Sequence, residues 1–340
     1  MQAWQRQIIQ LGRQSAALGQ TLNFLAQLDS WVSEFIIFGE GVIGTAAATA
    51  NPEGLSALLQ QVRITGTLPS GNPISPINNL RGPQLNEIAQ FIRSNVSFSY
   101  GSLGSTGNFG FYIPCTFEQP RMGSLAFIGC IPAGTMGSLS INVSIALQSG
   151  VDTNGSATFA LTSMQLGVEQ RQFYPATVPQ NSPYYLITLD QVVNANPQGG
   201  TQQQLFPNGS AYMLILIRSM ASTAANTRTC ITKQTDAGQV PVDASPTAVG
   251  LNLQDAANLP KTQSYWGDMR KANLDQITDA LVAGNICFQF NRGISDVWRP
   301  GGSSQQIPLN YTVNTTGTTL PLIEFVYQRL FDPANTLQLQ

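Results

Sequence analysis

The stretch SLSINVSIAL, residues 138–147, sets Leu139, Ile141, Val143, Ile145 and Leu147 in alternation with Ser140, Asn142, Ser144 and Ala146. Successive side chains of an extended chain point to opposite sides, so this pattern reads as a strand with one buried and one wet face. The same period of two recurs at 62–68, 96–100, 109–113 and 307–313. Residues 212–217 are apolar throughout and predict a strand buried on both faces. Within SATFALTSMQLGV (156–168) the apolar set moves from Ala157, Phe159 and Leu161 to Met164, Leu166 and Val168. One change of parity near Ser163 predicts a β-bulge that keeps both halves on the core. Adding 35–38, 125–130, 184–189, 229–233, 286–290 and 322–331 gives about a dozen strands between Gly- and Pro-rich turns, a density that suggests sandwiches.

A chain of 340 residues suits two domains. YPATVPQNSP, residues 174–183, holds three prolines and no charge, and divides the strand-rich region into comparable halves. FIRSNVSFSY (91–100) and LVAGNICFQF (281–290), offset by 190 residues, both pass from an apolar helix-like end through a small residue and an Asn into an alternating strand. Before the second copy a helix is expected, capped by Asp268, lined by Leu274, Ile277 and Leu281, and stopped by Gly284. Linker and repeat together favour two copies of one β-fold.

The N-terminus reads differently. In MQAWQRQIIQLGRQSAALGQTLNFLAQL (1–28), Trp4, Ile8, Leu11, Leu18, Leu22 and Leu25 fall at steps of three, four and seven. On a helix this makes one apolar stripe, with Arg6 and Arg13 nearly opposite, and the spacing predicts an amphipathic helical arm. A coiled coil through Trp4, Leu11, Leu18 and Leu25 is an alternative, but Gly12 and Gly19 would each cost a helix about 1 kcal/mol.

Only 10% of residues are charged, against 42% apolar, and the formal net charge is −2. The polar surface is therefore built from Gln, Asn, Ser and Thr, and copies of the chain repel one another weakly, which suits dense packing. Near-neutrality argues against a sequence-specific nucleic-acid binder, which needs clustered Lys and Arg. The absence of histidine removes Ser–His–Asp and Cys–His nucleophiles, most catalytic zinc sites and His acid–base chemistry. No catalytic, cofactor or metal residues are expected.

Cys115, Cys130, Cys230 and Cys287 form no CxxC pair and read as buried free thiols, a Cys115–Cys130 bridge being the alternative. Gln at positions 2, 5, 7, 10 and 14 interrupts any secretory signal, and Glu34 and Glu40 interrupt the next apolar stretch, so folding in a cytoplasm without a membrane span is expected. Asp275 and Asp279 lie one helical turn apart without a third ligand and read as a solvated face. Arg292 and Arg299 read as salt-bridge or carbonyl partners. The N-x-[ST] matches at Asn95, Asn142, Asn154, Asn208, Asn310 and Asn314 follow from composition.

The order FYIPCTF (111–117), GSLAF, SLSINVSIAL, VEQRQFYPATVP, YYLITLDQVVN, NICFQFNRG (285–293) and PLIEFVYQRLF resembles the double jelly-roll major capsid proteins of tectivirus-type phages with an internal membrane. That resemblance implies an all-β chain of two tandem eight-stranded jelly rolls, an N-terminal amphipathic helix and a short helix in the second domain. The expected boundaries are an arm at 1–34, a first roll at 35–174, a linker at 175–183, a second roll at 184–332 and a tail at 333–340. It further implies a non-enzymatic virion protein, assembled in the host cytoplasm into a homotrimer of pseudo-hexagonal outline that tiles an icosahedral shell. The partners implied are other capsomers, penton, minor capsid or membrane proteins, and peripherally the internal bilayer. At the bilayer Trp4, Ile8, Leu11, Leu18, Leu22 and Leu25 would meet lipid or a neighbour, and Arg6 and Arg13 the headgroups. A carbohydrate-binding or adhesin-like β-sandwich is the alternative reading.

Overall fold

The computed structural model describes residues 5–51, 53–93, 98–118, 129–153, 158–174, 186–194, 200–206, 211–224, 227–230, 286–289, 307–313 and 320–331. The chain divides into two compact units, Met1–Asp190 and Gln191–Gln340. The expected linker at 175–183 lies outside the described residues, as do the helix at 268–284, the tail and most of the 125–130 strand.

In the first unit the strands are β1 (Gln5–Ser15), β2 (Thr21–Leu25), β3 (Trp31–Thr45), β4 (Leu59–Thr67), β5 (Pro73–Leu80), β6 (Phe98–Tyr100), β7 (Gly107–Thr116), β8 (Ser138–Ile145) and β9 (Ala160–Tyr174). Helix α1 (Gly82–Arg93) joins β5 to β6, and β10 (Leu186–Asn194) begins near the unit's end. One antiparallel sheet runs β1-β9-β3-β7-β6, and a second runs β5-β4-β8-β2. β10 meets β5 in parallel, Leu189 opposite Ile77.

Alternation explains which face each strand buries. In β8, Leu139, Ile141, Val143 and Ile145 are buried as expected, each side chain contributing about 1.5–3 kcal/mol. Leu147, expected to continue the series, lies beyond the strand and is half exposed. Leu22 and Phe24 of β2 and Val62 and Ile64 of β4 extend this apolar face. The opposing sheet offers Phe35 and Ile37 of β3, Phe109, Phe111 and Ile113 of β7, and Met164, Leu166 and Val168 of β9. These two faces form the core of a two-layer sandwich. Helix α1 packs on β7 of one sheet and β4 of the other, burying Leu85, Ile88 and Ala89. Gly82 fits at its start because a Cβ there would sit 2.9 Å from Leu59 Cβ and 3.1 Å from Ile113 Cδ1. The expected bulge is present: Val42 of β3 faces Ser163 while Ile43 faces Leu161, leaving Thr162 as the extra residue.

The N-terminal helix is not. Residues 5–15 form β1, paired antiparallel with β9, and residues 21–25 form β2, paired with β8. The first unit therefore carries strands well before residue 35, and the arm expected at 1–34 is part of the roll. The placing of both arginines on one side, which a helix would also give, has a definite origin. Arg6 and Arg13 are seven residues apart, which puts them on one side of a helix but on opposite faces of a regular strand. A register shift between Gln10 and Arg13, with Gly12 at φ 105°, inserts one extra residue and returns Arg13 to the face of Arg6, Ile8 and Gln10. At the next turn Gly19 (φ 75°) leads into β2, where Leu22 and Phe24 alternate inward.

The second unit is described by β11 (Gly200–Phe206) paired with β15 (Ile307–Val313), and by β12 (Ala211–Ala224) paired along one edge with β16 (Leu320–Phe331). Along its other edge β12 pairs with β13 (Thr227–Cys230) and β14 (Ile286–Gln289). Met213, Leu214, Ile215 and Leu216 are all buried, the pattern of a strand covered on both faces. Arg218 of β12 lies opposite Glu324 of β16, fully buried, with Nη1 donating to Oε2 over 2.6 Å.

Candidate interaction surfaces

The described residues contain no group of three or more His, Cys, Asp or Glu side chains placed to hold a metal ion, and no helix long and apolar enough to cross a membrane. Cys115 and Cys130 are both buried and not joined by a disulfide, so the bridge is not formed. Burial, and secondly the charge of Glu34, push the Cys115 thiol far above its ordinary pKa and keep it protonated. Among the described residues, the two outer faces of the first unit's sandwich differ in chemistry.

The outer face of the β1-β9-β3-β7-β6 sheet concentrates charge in a chain that has little. Ile8, Arg171, Glu34 and Thr116 form one lateral row across four strands, and Gln10, Glu169, Ile36 and Pro114 the next. Arg171 donates from Nε to Glu169 over 2.7 Å and from Nη1 to Glu34 over 3.3 Å, while Thr116 donates to the other oxygen of Glu34 over 2.7 Å. Arg6 donates to Glu118 over 2.6 Å and lies 5.2 Å from the centre of the Phe173 ring. Arg13 pairs with Glu40 and lies 5.0 Å from the centre of the Phe38 ring. Gly167 makes this stack possible: a Cβ there would be 2.4 Å from Phe38 Cζ. Glu34 and Glu118 are buried beneath arginines that remain in contact with water. Three arginines and four glutamates thus occupy one sheet face with a net charge near zero.

The outer face of the second sheet is a neutral ladder. Thr21 pairs with Ser144 over 2.8 Å, Thr65 with Ser140 over 3.2 Å and Thr67 with Ser138 over 3.0 Å, with Asn23 opposite Asn142. Arg63 is the one charged side chain on β2, β4 and β8. Its edge strand β2 is closed by Gln14, whose Nε2 donates to the Asn23 carbonyl over 2.7 Å.

The side chains expected on one helix stripe are dispersed. Trp4 lies outside the described residues. Ile8 stands 63% exposed beside Arg6 on the charged face, whereas Leu11 points the other way and is half-buried. Leu18 sits in the turn, Leu22 enters the core and Leu25, 73% exposed, lies on the neutral face. Arg6 and Arg13 share a face with Ile8 and are engaged by carboxylates of their own chain. Sequence reasoning missed Glu34, Glu40, Glu118, Glu169 and Arg171 as parts of this surface. For Glu34, Glu40, Glu169 and Arg171 the sequence signal is the alternation of β3 and β9, read one face further out, and Glu118 follows β7 in the same parity as Thr116.

No family model matches the chain, and no curated protein does. Solved structures match throughout. The crystal structure of the STIV major capsid protein aligns with TM-score 0.63 at 8% identity, over 98% of this chain and 98% of its own. The major capsid protein of bacteriophage PM2 aligns with TM-score 0.53 at 11% identity, over 97% and 99%. That of Faustovirus aligns with TM-score 0.52 at 9% identity, over 97% and 89%. At such identities the likeness establishes the fold, a double jelly roll.

Proposed function

We propose that this chain is a viral major capsid protein, a structural rather than catalytic component of the virion, whose two jelly rolls let three copies build a capsomer of pseudo-hexagonal outline. The observation that carries this reading is coverage: both jelly rolls align end to end, 98% against 98%, with a major capsid protein. Duplication gives three chains six similar footprints, which tile a nearly hexagonal lattice. A chain with 10% charged residues has little long-range repulsion to overcome when packed at shell density. Association through apolar and hydrogen-bonded contacts also makes the trimers tolerant of molar salt.

The finer reading, an icosahedral shell laid over an internal membrane with penton, minor capsid or membrane proteins as neighbours, is supported by the order of sequence features shared with internal-membrane phages. It loses the amphipathic helix as its membrane contact, since residues 5–15 and 21–25 are strands and the charges of Arg6 and Arg13 are matched by Glu118 and Glu40. Native mass spectrometry of the purified chain tests the trimer. A mass of three chains, with six-lobed outlines in negative stain, is expected; a monomer at every concentration would overturn the capsid reading.

A further inference from the structure

The two units repeat one pairing scheme. In the first, β2 pairs antiparallel with β8, and the next strand, β3, with the closing strand β9. In the second, β11 pairs antiparallel with β15, and the next strand, β12, with the closing strand β16. β3 is thus the counterpart of β12, and β9 that of β16. Each of these strand pairs holds a directly opposed Glu and Arg, with the signs exchanged between the rolls. Glu34 of β3 faces Arg171 of β9 and accepts from its Nη1 over 3.3 Å. Arg218 of β12 faces Glu324 of β16 and donates to it over 2.6 Å. We propose that this exchange of sign directs each closing strand to its own roll, by disfavouring hybrids in which β16 closes on β3 or β9 on β12.

Duplication creates the hazard. The backbone hydrogen bonds of an antiparallel ladder do not depend on which roll a strand comes from, and β9 and β16 are both long, at 15 and 12 residues. Both native closures are already distant in sequence, the paired charges lying 137 and 106 residues apart. Closure entropy grows only with the logarithm of loop length, so a still longer closure of β16 on β3 is little worse.

Charge supplies the discrimination that the backbone lacks. The charged residues of β3 are Glu34 and Glu40. Arg329, the one cation of β16, is five residues from Glu324 and so on the other face of the strand, against the Tyr327 ring. A β3–β16 ladder therefore offers no guanidinium on the face that holds Glu34 and Glu324. The reciprocal ladder brings Arg171 to β12, whose one charged residue is Arg218. Opposite charges directly across a ladder are favourable and like charges unfavourable. Burial raises the penalty, and the side chains of Glu34, Arg218 and Glu324 have no solvent exposure. Since a buried ion pair adds little net stability over apolar side chains of similar volume, its use here lies in specifying which strands meet.

The test is refolding of the full chain from urea under reducing conditions, scored as the fraction that regains the native melting transition. Arg218→Met with Glu324→Leu removes the sign from the second roll. Its refolded fraction is expected to fall about twofold or more, although its melting temperature is unchanged or higher. Arg218→Glu with Glu324→Arg keeps opposite charges in the native ladder but gives both rolls one polarity, which makes the hybrids complementary, and it is expected to lose more. As a control, Arg81→Met with Glu53→Leu removes a buried ion pair that lies outside the closing strands, and is expected to refold as fully as the unaltered chain. Undiminished refolding of the Arg218→Met, Glu324→Leu chain would overturn the proposal, whether or not the inverted chain folds. An equal loss in the control would overturn it as well, since any buried pair would then have the same effect.

Discussion

At the scale of the residue, three positions hold the energetics in view. The Arg218–Glu324 pair has no solvent exposure on either side chain. Removing one partner takes this counter-ion from a buried charge, so Arg218→Ala is expected to cost about 3–5 kcal/mol in urea unfolding, whereas the joint change Arg218→Met with Glu324→Leu is expected to be neutral or stabilising. If the joint change costs as much as the single one, the pair is a net stabiliser. Gly167 is held open by the Phe38 ring. Gly167→Val is expected to cost about 1–3 kcal/mol, and less in a Phe38→Ala background, where the ring is gone. Equal costs in the two backgrounds would separate the glycine from the stack. Cys115, protonated by burial, is expected to resist maleimide in the native protein and react on unfolding. Since the unfolded chain ionises this thiol above about pH 8.5 and the folded chain does not, its contribution to stability is complete below that pH and falls as pH rises above it.

At the scale of the element, β1 is where sequence and structure part. Gly12 adopts φ 105° with no atom near its missing Cβ, so Gly12→Ala is expected to cost about 1–3 kcal/mol through the backbone alone. A melting temperature unchanged by that substitution would mean that the bulge does not need its glycine. The bulge accounts for part of the misreading: one extra residue puts Arg6 and Arg13, seven apart, on the same face, as a helix would. A second bulge, at Thr162, was legible because the apolar residues on either side lie on a buried face and mark the change of parity. On β1 the outer face carries Arg6, Ile8, Gln10 and Arg13, and no buried apolar series records the slip. Strands with a plain apolar alternation, β4, β7 and β8, could be read directly. Helix α1 was read only at its last turn, FIR, although Leu85, Ile88, Ala89 and Ile92 fall at the steps of three and four that mark one helical face.

At the scale of the whole molecule, composition and duplication carry the argument. Scarcity of charge and absence of histidine argued against histidine-dependent catalysis without locating any surface. The charged sheet face could not be seen in advance because its members are spread from residue 6 to residue 171 and converge only when β1, β9 and β3 pair. The fold, by contrast, was legible from the order of its strands, and its alignment with the STIV protein spans nearly the full chain. The most direct test is a cryo-EM reconstruction of the purified chain at the concentration where it associates. The account predicts a threefold particle with two upright sandwiches per chain in a six-lobed ring. A particle without threefold symmetry, or a chain whose two halves differ in strand order, would contradict it.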